Sequence, residues 1–209
     1  MPNAQRTPVV PLEAGAGPEN PPCPACGEPL FGWLSPQPGL GGAVSRCESC
    51  GLGVVGKPGE PGEALRELDR LAGDGKPRIA NRASYAASLG SAGWAGLQPG
   101  ARYLLTVESV RRLVARRDQV VKSSRWAPAA GLAATWQTLL NSVTFGHNVA
   151  LAALGSGKAT PAKHRWQQRI DALASIVLAI PALLIAIPVE LAGSLRGRGA
   201  VISLRFELL

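Results

Sequence analysis

Cys23, Cys26, Cys47 and Cys50 form two Cys-x-x-Cys pairs, CPAC and CESC, with twenty residues between Cys26 and Cys47. Zn²⁺ takes four soft ligands in a tetrahedron. A Cys-x-x-Cys turn presents two thiolates on one side, so two such turns close a site. Gly27 and Gly51 each follow the second cysteine of a pair, where a tight knuckle favours a residue tolerant of positive φ. The spacing predicts a structural zinc ribbon over residues 23–57, with strands over Pro29–Leu34 and Ala43–Arg46. Two disulfides or four idle thiols are the alternatives, and the lack of a secretory signal disfavours disulfides. A closed four-thiolate site has no open position for substrate, so the zinc holds a fold and performs no chemistry. It also uses every cysteine, leaving no spare nucleophilic thiol.

Other segments imitate functional motifs. Gly51, Gly53 and Gly56 spell GxGxxG. A dinucleotide fingerprint must follow a buried strand and open a helix, whereas here a cysteine knuckle precedes it and Lys57-Pro58-Gly59 follows. GSGKA at Gly155–Ala159 lacks the first glycine of a P-loop and carries Ala159 in place of the Ser/Thr that would hold Mg²⁺. The plausible acid–base groups are Tyr103, His147 and His164. Each has a plainer reading: Tyr103 as a strand residue, His147 as polar punctuation in an apolar helix, His164 as part of a basic head-group patch.

The elements around these residues follow from pattern. Residues 1–22 are rich in Pro, Gly and Ala without periodicity and read as a disordered tail. Glu63–Leu71 sets Ala64, Leu65, Leu68 and Leu71 at helical spacing. Pro77–Asn81 is at most a short strand. Thr106 can cap a helix over Val107–Arg117, with Glu108 in its first turn and Val107, Val110, Leu113 and Val114 on its apolar face. Gln119–Trp126 reads as a strand. At the C-terminus Ile202, Leu204, Phe206 and Leu208 alternate with Ser203, Arg205 and Glu207, the pattern of a half-buried strand over residues 200–209.

Between these strands the chain turns apolar. Gly131–Leu154 carries almost no charge, and Lys158–Arg169 is a basic patch containing His164 and Trp166. Ala172–Val189 is then eighteen residues without a charge, the lower limit for a membrane-spanning helix, but Pro181 and Pro188 interrupt it. Lys163, Arg165 and Arg169 precede it, and Arg196 and Arg198 follow. A single span would place one basic cluster on the wrong side of the membrane. A kinked or re-entrant hairpin keeps both on the cytoplasmic face, so monotopic insertion is preferred over a single span and over a buried helix pair. The net charge of +8, from 22 Lys+Arg against 14 Asp+Glu, suits an anionic membrane surface. The Ala/Gly/Arg bias equally fits a high-GC genome. Nucleic acid is disfavoured, because the ribbon is nearly neutral (Arg46 against Glu28 and Glu48) and Phe31 and Trp33 are too few for a stacking platform.

The segment GWAGLQPGARYLLTVESVRRLVARRDQVVKSSRW resembles the C-terminal part of class I S-adenosylmethionine-dependent methyltransferases, more narrowly the bacterial members that begin with a four-cysteine ribbon. Trp94, Gly96, Leu97, Pro99, Arg102 and Thr106 carry the resemblance. Asn81 and Ser84 resemble the turn after the fifth strand of that fold, and Tyr103 stands where the family usually has His. The resemblance covers the ribbon and roughly residues 63–209, and it implies an α/β remnant: a zinc ribbon, a partial Rossmann-like segment over 63–130, apolar membrane-associating helices over 131–199, and the last strand. The family's strand, glycine loop and helix that cradle the cofactor have no counterpart here. No catalytic or cofactor residue is therefore carried over, and S-adenosylmethionine is not expected. A remnant of this kind leaves sheet edges that a protein partner or self-association would cover.

The expected function is a membrane-associated, non-catalytic adaptor or partner subunit, a shortened methyltransferase relative. A methyltransferase component acting on a membrane-linked glycan or lipid, and a nucleic-acid-binding ribbon protein, are the alternatives.

Overall fold

A computed structural model of the chain describes residues 20–36, 40–72, 77–156 and 158–208. Among the described residues the fold is mixed α/β, with two small antiparallel sheets and six α-helices. The first sheet carries the cysteines. Its strands are β1 (Leu30–Leu34), β2 (Val44–Cys47), β3 (Gly53–Val55) and β5 (Tyr103–Leu104), in the order β1-β2-β3-β5. The strands expected at Pro29–Leu34 and Ala43–Arg46 fall within a residue of β1 and β2. The GxGxxG glycines lie on and around β3 and open no helix. Most of the expected tail lies outside the described residues. Pro21 and Pro22 already belong to the fold: Pro21 O accepts from Leu30 N at 3.0 Å, and Pro22 bridges Pro29.

The second sheet joins β4 (Arg78–Ala80), β7 (Val201–Leu208) and β6 (Gln119–Trp126) in the order β4-β7-β6. The alternation of the last strand sets its face, with Ile202 and Leu204 buried and Phe206 packed beside them. The sheets touch end to end, where Arg82 N, just past β4, donates to Leu105 O, just past β5, at 3.0 Å. Their edges have the usual protections. β4 and β5 are three and two residues long, and β6 shifts register between Val121 and Ser123 and carries Lys122 and Arg125.

Helices α1 (Pro61–Ala72) and α3 (Val107–Ala115) cover the two sheets. Their apolar stripes do what the spacing predicts: Ala64, Leu65 and Leu68 of α1 and Val110, Leu113 and Val114 of α3 are buried. They share one core with Cys23, Cys47, Cys50, Leu30, Leu52, Ile79, Ile202 and Leu204. A second core gathers Trp94, Leu97 and Leu104 with Val44, Val55 and the short α2 (Tyr85–Gly90).

The apolar region differs most from expectation. It forms α4 (Pro128–Asn141), the short α5 (Val149–Ala153) and α6 (Arg165–Leu195). α6 is one continuous helix of 31 residues, about 46 Å long, not a hairpin broken at its prolines. Pro181 and Pro188 stand seven residues apart, hence on one face, and both are exposed. Losing two amide donors there disturbs no contact with the rest of the protein. The antiparallel helix pair exists, but its arms are α4 and α6. His147 is not in a helix: it lies between α4 and α5, in an isolated bridge with Thr160.

Candidate metal centre

Two knuckles of matching design build the cysteine cluster. In the first, Cys23 N donates to Glu28 O at 2.7 Å and Gly27 N to Cys23 O at 2.8 Å. In the second, Cys47 N donates to Leu52 O at 2.8 Å and Gly51 N to Cys47 O at 3.0 Å. Each turn closes through a glycine in the left-handed region, Gly27 at φ 83° and Gly51 at φ 74°. Gly51 is further restricted because a Cβ there would meet Thr106 Cγ2 at 2.9 Å.

The four sulfurs lie within 4.8 Å of one another, with Cys23–Cys50 at 3.6 Å and Cys26–Cys47 at 3.4 Å. A disulfide needs about 2.05 Å, so these are four free thiols. A tetrahedron of sulfurs with metal–sulfur bonds of about 2.3 Å has edges of about 3.8 Å, which these spacings match. The group can hold a metal ion, and an all-thiolate donor set suits soft cations. The amides of Ala25 and Cys26 hydrogen-bond the Cys23 sulfur, that of Glu28 the Cys26 sulfur, and that of Leu52 the Cys50 sulfur. Such donors stabilise thiolate. Hydrogen bonding from Cys50 pulls the Cys23 thiol down to about 5, and holding that bond pushes Cys50 up. Burial raises Cys26.

The surroundings of the cluster are the part that spacing did not reveal. Thr106 Oγ1 donates to Cys50 O at 2.6 Å and accepts from Ser109 N at 3.0 Å, so one hydroxyl caps α3 and fastens it to the second knuckle. Arg82 Nη1 donates to Gly51 O at 3.3 Å while its guanidinium stacks on Trp33, 4.3 Å from the ring centre. Burial, with Arg46 nearby, lowers the Arg82 pKa to about 10. Arg116 Nη2 lies 3.5 Å from Ala25 O. No motif marks Arg82 or Arg116; only the fold brings them to the cysteines.

The acid–base candidates are separate and engaged. Tyr103 is buried on β5 and donates to Glu63 at 3.3 Å, and burial and that carboxylate raise its pKa. His147 Nε2 lies 3.1 Å from Trp94 O, and burial lowers its pKa. His164 precedes α6 and stacks on Trp166. The three do not converge. The arginines of α3 and the turn after it are also engaged: Arg111 and Arg112 pair with Glu108, and Arg117 pairs with Asp69.

α6 supplies a second feature. It is long and apolar enough to cross a membrane. Its inward stripe holds Asp171, Ala182, Ala186, Glu190 and Gly193. Asp171 accepts from the amides of Phe145 and Gly146 at 2.7 and 2.8 Å. Glu190 Oε1 accepts from Trp126 Nε1 and Ala200 N at 2.7 and 2.8 Å, and Oε2 from Thr135 Oγ1 at 2.7 Å. The other side is aliphatic, with Leu173, Ile176, Val177, Ile180, Leu184 and Leu195 each more than 60% exposed. Soluble surfaces rarely present a contiguous apolar area of this extent without a partner. Comparison with family models, with curated proteins and with solved structures gives no match.

Proposed function

We propose that the protein is a zinc-stabilised scaffold that lies on a membrane, without catalytic chemistry of its own. The observation that carries this reading is α6. Both acids on the helix turn inward to hydrogen-bond partners, and the outer face from Ile170 to Leu195 presents Leu173, Ile176, Val177, Ile180, Leu184 and Leu195. A lipid phase is the environment such a face fits, because burying it needs no polar complement.

A monotopic arrangement, on the cytoplasmic face as the flanking basic clusters suggest, suits the packing better than a span. The C-terminal end of α6 is tied through Glu190 to Trp126 and Ala200 at the second sheet. The N-terminal end is tied through Asp171 to Phe145 and Gly146, and the adjoining His147 and Asn148 bond Trp94 and Ala95 of the central core. Both ends thus rest on one body, and a helix held that way lies along the membrane plane. Lys163, Arg165 and Arg169 at one end and Arg196 and Arg198 at the other would then meet anionic head groups.

Zinc fits the four sulfurs as a closed structural site, and ribbon is the reading that matches two strands and two knuckles around it. The resemblance to ribbon-bearing methyltransferases suits a non-catalytic relative whose remaining surface serves a partner protein. The dispersed state of Tyr103, His147 and His164, the first two hydrogen-bonded and the third stacked on Trp166, supports that reading over an enzyme.

The test combines metal analysis with vesicle flotation. About one zinc per purified chain is expected. The protein should float with phosphatidylglycerol-containing vesicles, and Ile176→Lys with Ile180→Lys should leave it in solution while folded. Wild-type protein that stays in solution beside anionic vesicles would overturn the membrane reading, and chains without zinc or another thiophilic metal would overturn the metal reading.

A further inference from the structure

A cavity of about 590 Å³ opens beside the N-terminal end of α6. Ligand sites commonly fall between about 300 and 1,000 Å³. Its apolar walls include Leu40, Leu97 and Phe145, and its polar groups include His147, Lys163 and Gln167. Phe145 is 57% exposed and meets Trp166, itself 54% exposed, edge to face at 5.6 Å between ring centres. This aromatic pair joins the cavity to the outer face of α6.

The polar groups divide by availability. Thr144 Oγ1 bonds the carbonyls of Leu140 and Gly146. Both ends of the Asn141 amide are taken, by Gln137, Asn148 and Gly93. Asp171 stands behind the wall, with its carboxylate on the amides of Phe145 and Gly146. The Lys163 ammonium, the Gln167 amide nitrogen and the second ring nitrogen of His147 have no hydrogen-bond or ion-pair partner among the described residues. A cation and a neutral donor at the mouth, with apolar walls leading to an aliphatic helix face, make an amphiphile's environment.

We infer that this cavity binds the anionic phosphodiester head group of a single phospholipid, with the phosphate at Lys163 and Gln167 and the acyl chains passing Phe145 onto α6. The assignment rests on the membrane reading, so its test is run without a membrane. The metal-loaded wild-type protein is titrated by calorimetry with dihexanoyl phosphatidylglycerol below its micelle concentration, with no vesicles present. Saturable one-to-one binding is expected. Lys163→Glu, at an exposed position, should weaken it by roughly tenfold or more with unchanged circular dichroism, and Lys163→Arg should preserve it. No saturation, or equal binding by Lys163→Glu, would overturn the site. Inorganic phosphate binding as tightly as the lipid would overturn the lipid part and leave a phosphate site. If the short-chain lipid binds while wild-type protein fails to float with vesicles, the cavity stands and the membrane reading fails.

Discussion

Thr106 shows how much one side chain contributes to this fold. Its hydroxyl accepts from Ser109 N and donates to Cys50 O, and its backbone amide donates to Ser109 Oγ at 2.9 Å. Thr106→Val keeps the shape and removes both hydroxyl bonds at a buried position. A loss of about 1–2 kcal/mol is expected in chemical denaturation, with Thr106→Ser close to wild type. Restored stability in the serine variant separates the hydroxyl from the methyl packing on Gly51. His147 gives a second expectation at this scale. Burial holds its folded pKa below the ordinary 6.5. Between those two values the unfolded chain binds more protons than the folded one, so stability rises with pH there. The contribution is fully present above pH 6.5 and is lost as pH falls toward the folded pKa. Denaturation midpoints taken between pH 7 and 5 should decline less steeply in His147→Gln than in wild type; parallel slopes would show that another group dominates.

At the scale of elements, α6 depends on Glu190 more than its composition suggests. Glu190→Ala would leave Trp126 Nε1, Ala200 N and Thr135 Oγ1 without their buried acceptor, and a loss of about 3–5 kcal/mol is expected. Glu190→Gln retains one oxygen for two of those donors and should lose about half as much. Equal, small losses in both variants would mean that α6 is held by apolar packing alone. The same helix shows what could be read beforehand. The Thr106 cap, the Val110/Leu113/Val114 stripe and the alternation after Val201 are local patterns, and each formed the element its pattern implies, while the cysteine spacing brought four sulfurs together as a group that could hold a metal ion. The continuity of α6 was not legible, because proline's penalty falls on whichever face it occupies and only the packed structure shows that Pro181 and Pro188 face outward. α4 was equally opaque: its polar residues Thr135, Gln137, Thr138 and Asn141 lie on the buried side, the reverse of an ordinary amphipathic pattern, and its place against α6 follows from Trp136 Nε1 reaching Ala179 O at 2.8 Å and from the Thr135–Glu190 bond. Asp171 and Glu190 were the available signal, two lone acids at the ends of an apolar run, each needing a buried partner.

For the whole molecule, the decisive fact is that the cysteine cluster shares its core with the rest of the α/β body. Cys23, Cys47 and Cys50 pack in one cluster with Leu65 and Leu68 of α1, Ile79 of β4, Leu113 of α3 and Leu204 of β7. Thr106, Arg82 and Arg116 add polar ties from three separate places to Cys50, Gly51 and Ala25. Binding of a structural zinc by four thiolates contributes on the order of 10 kcal/mol to the folded state, and a whole domain is stable by about 5–15 kcal/mol. Loss of the proposed zinc would therefore be large enough to unfold the body and not merely to loosen two turns. Exhaustive chelation, or Cys47→Ser, should remove hydrogen-exchange protection from β2 and β3 and, together with them, from α3 and β7. Protection lost only over residues 23–57 would instead identify the cysteine sheet as an autonomous unit. The pH dependence has a fixed sign: thiols must release protons to bind metal, so retention of the proposed zinc should fail as pH drops. A chromophoric chelator followed from pH 7 downward would record zinc release and loss of α3 and β7 protection over the same interval if the core is shared, and over separate intervals if it is not.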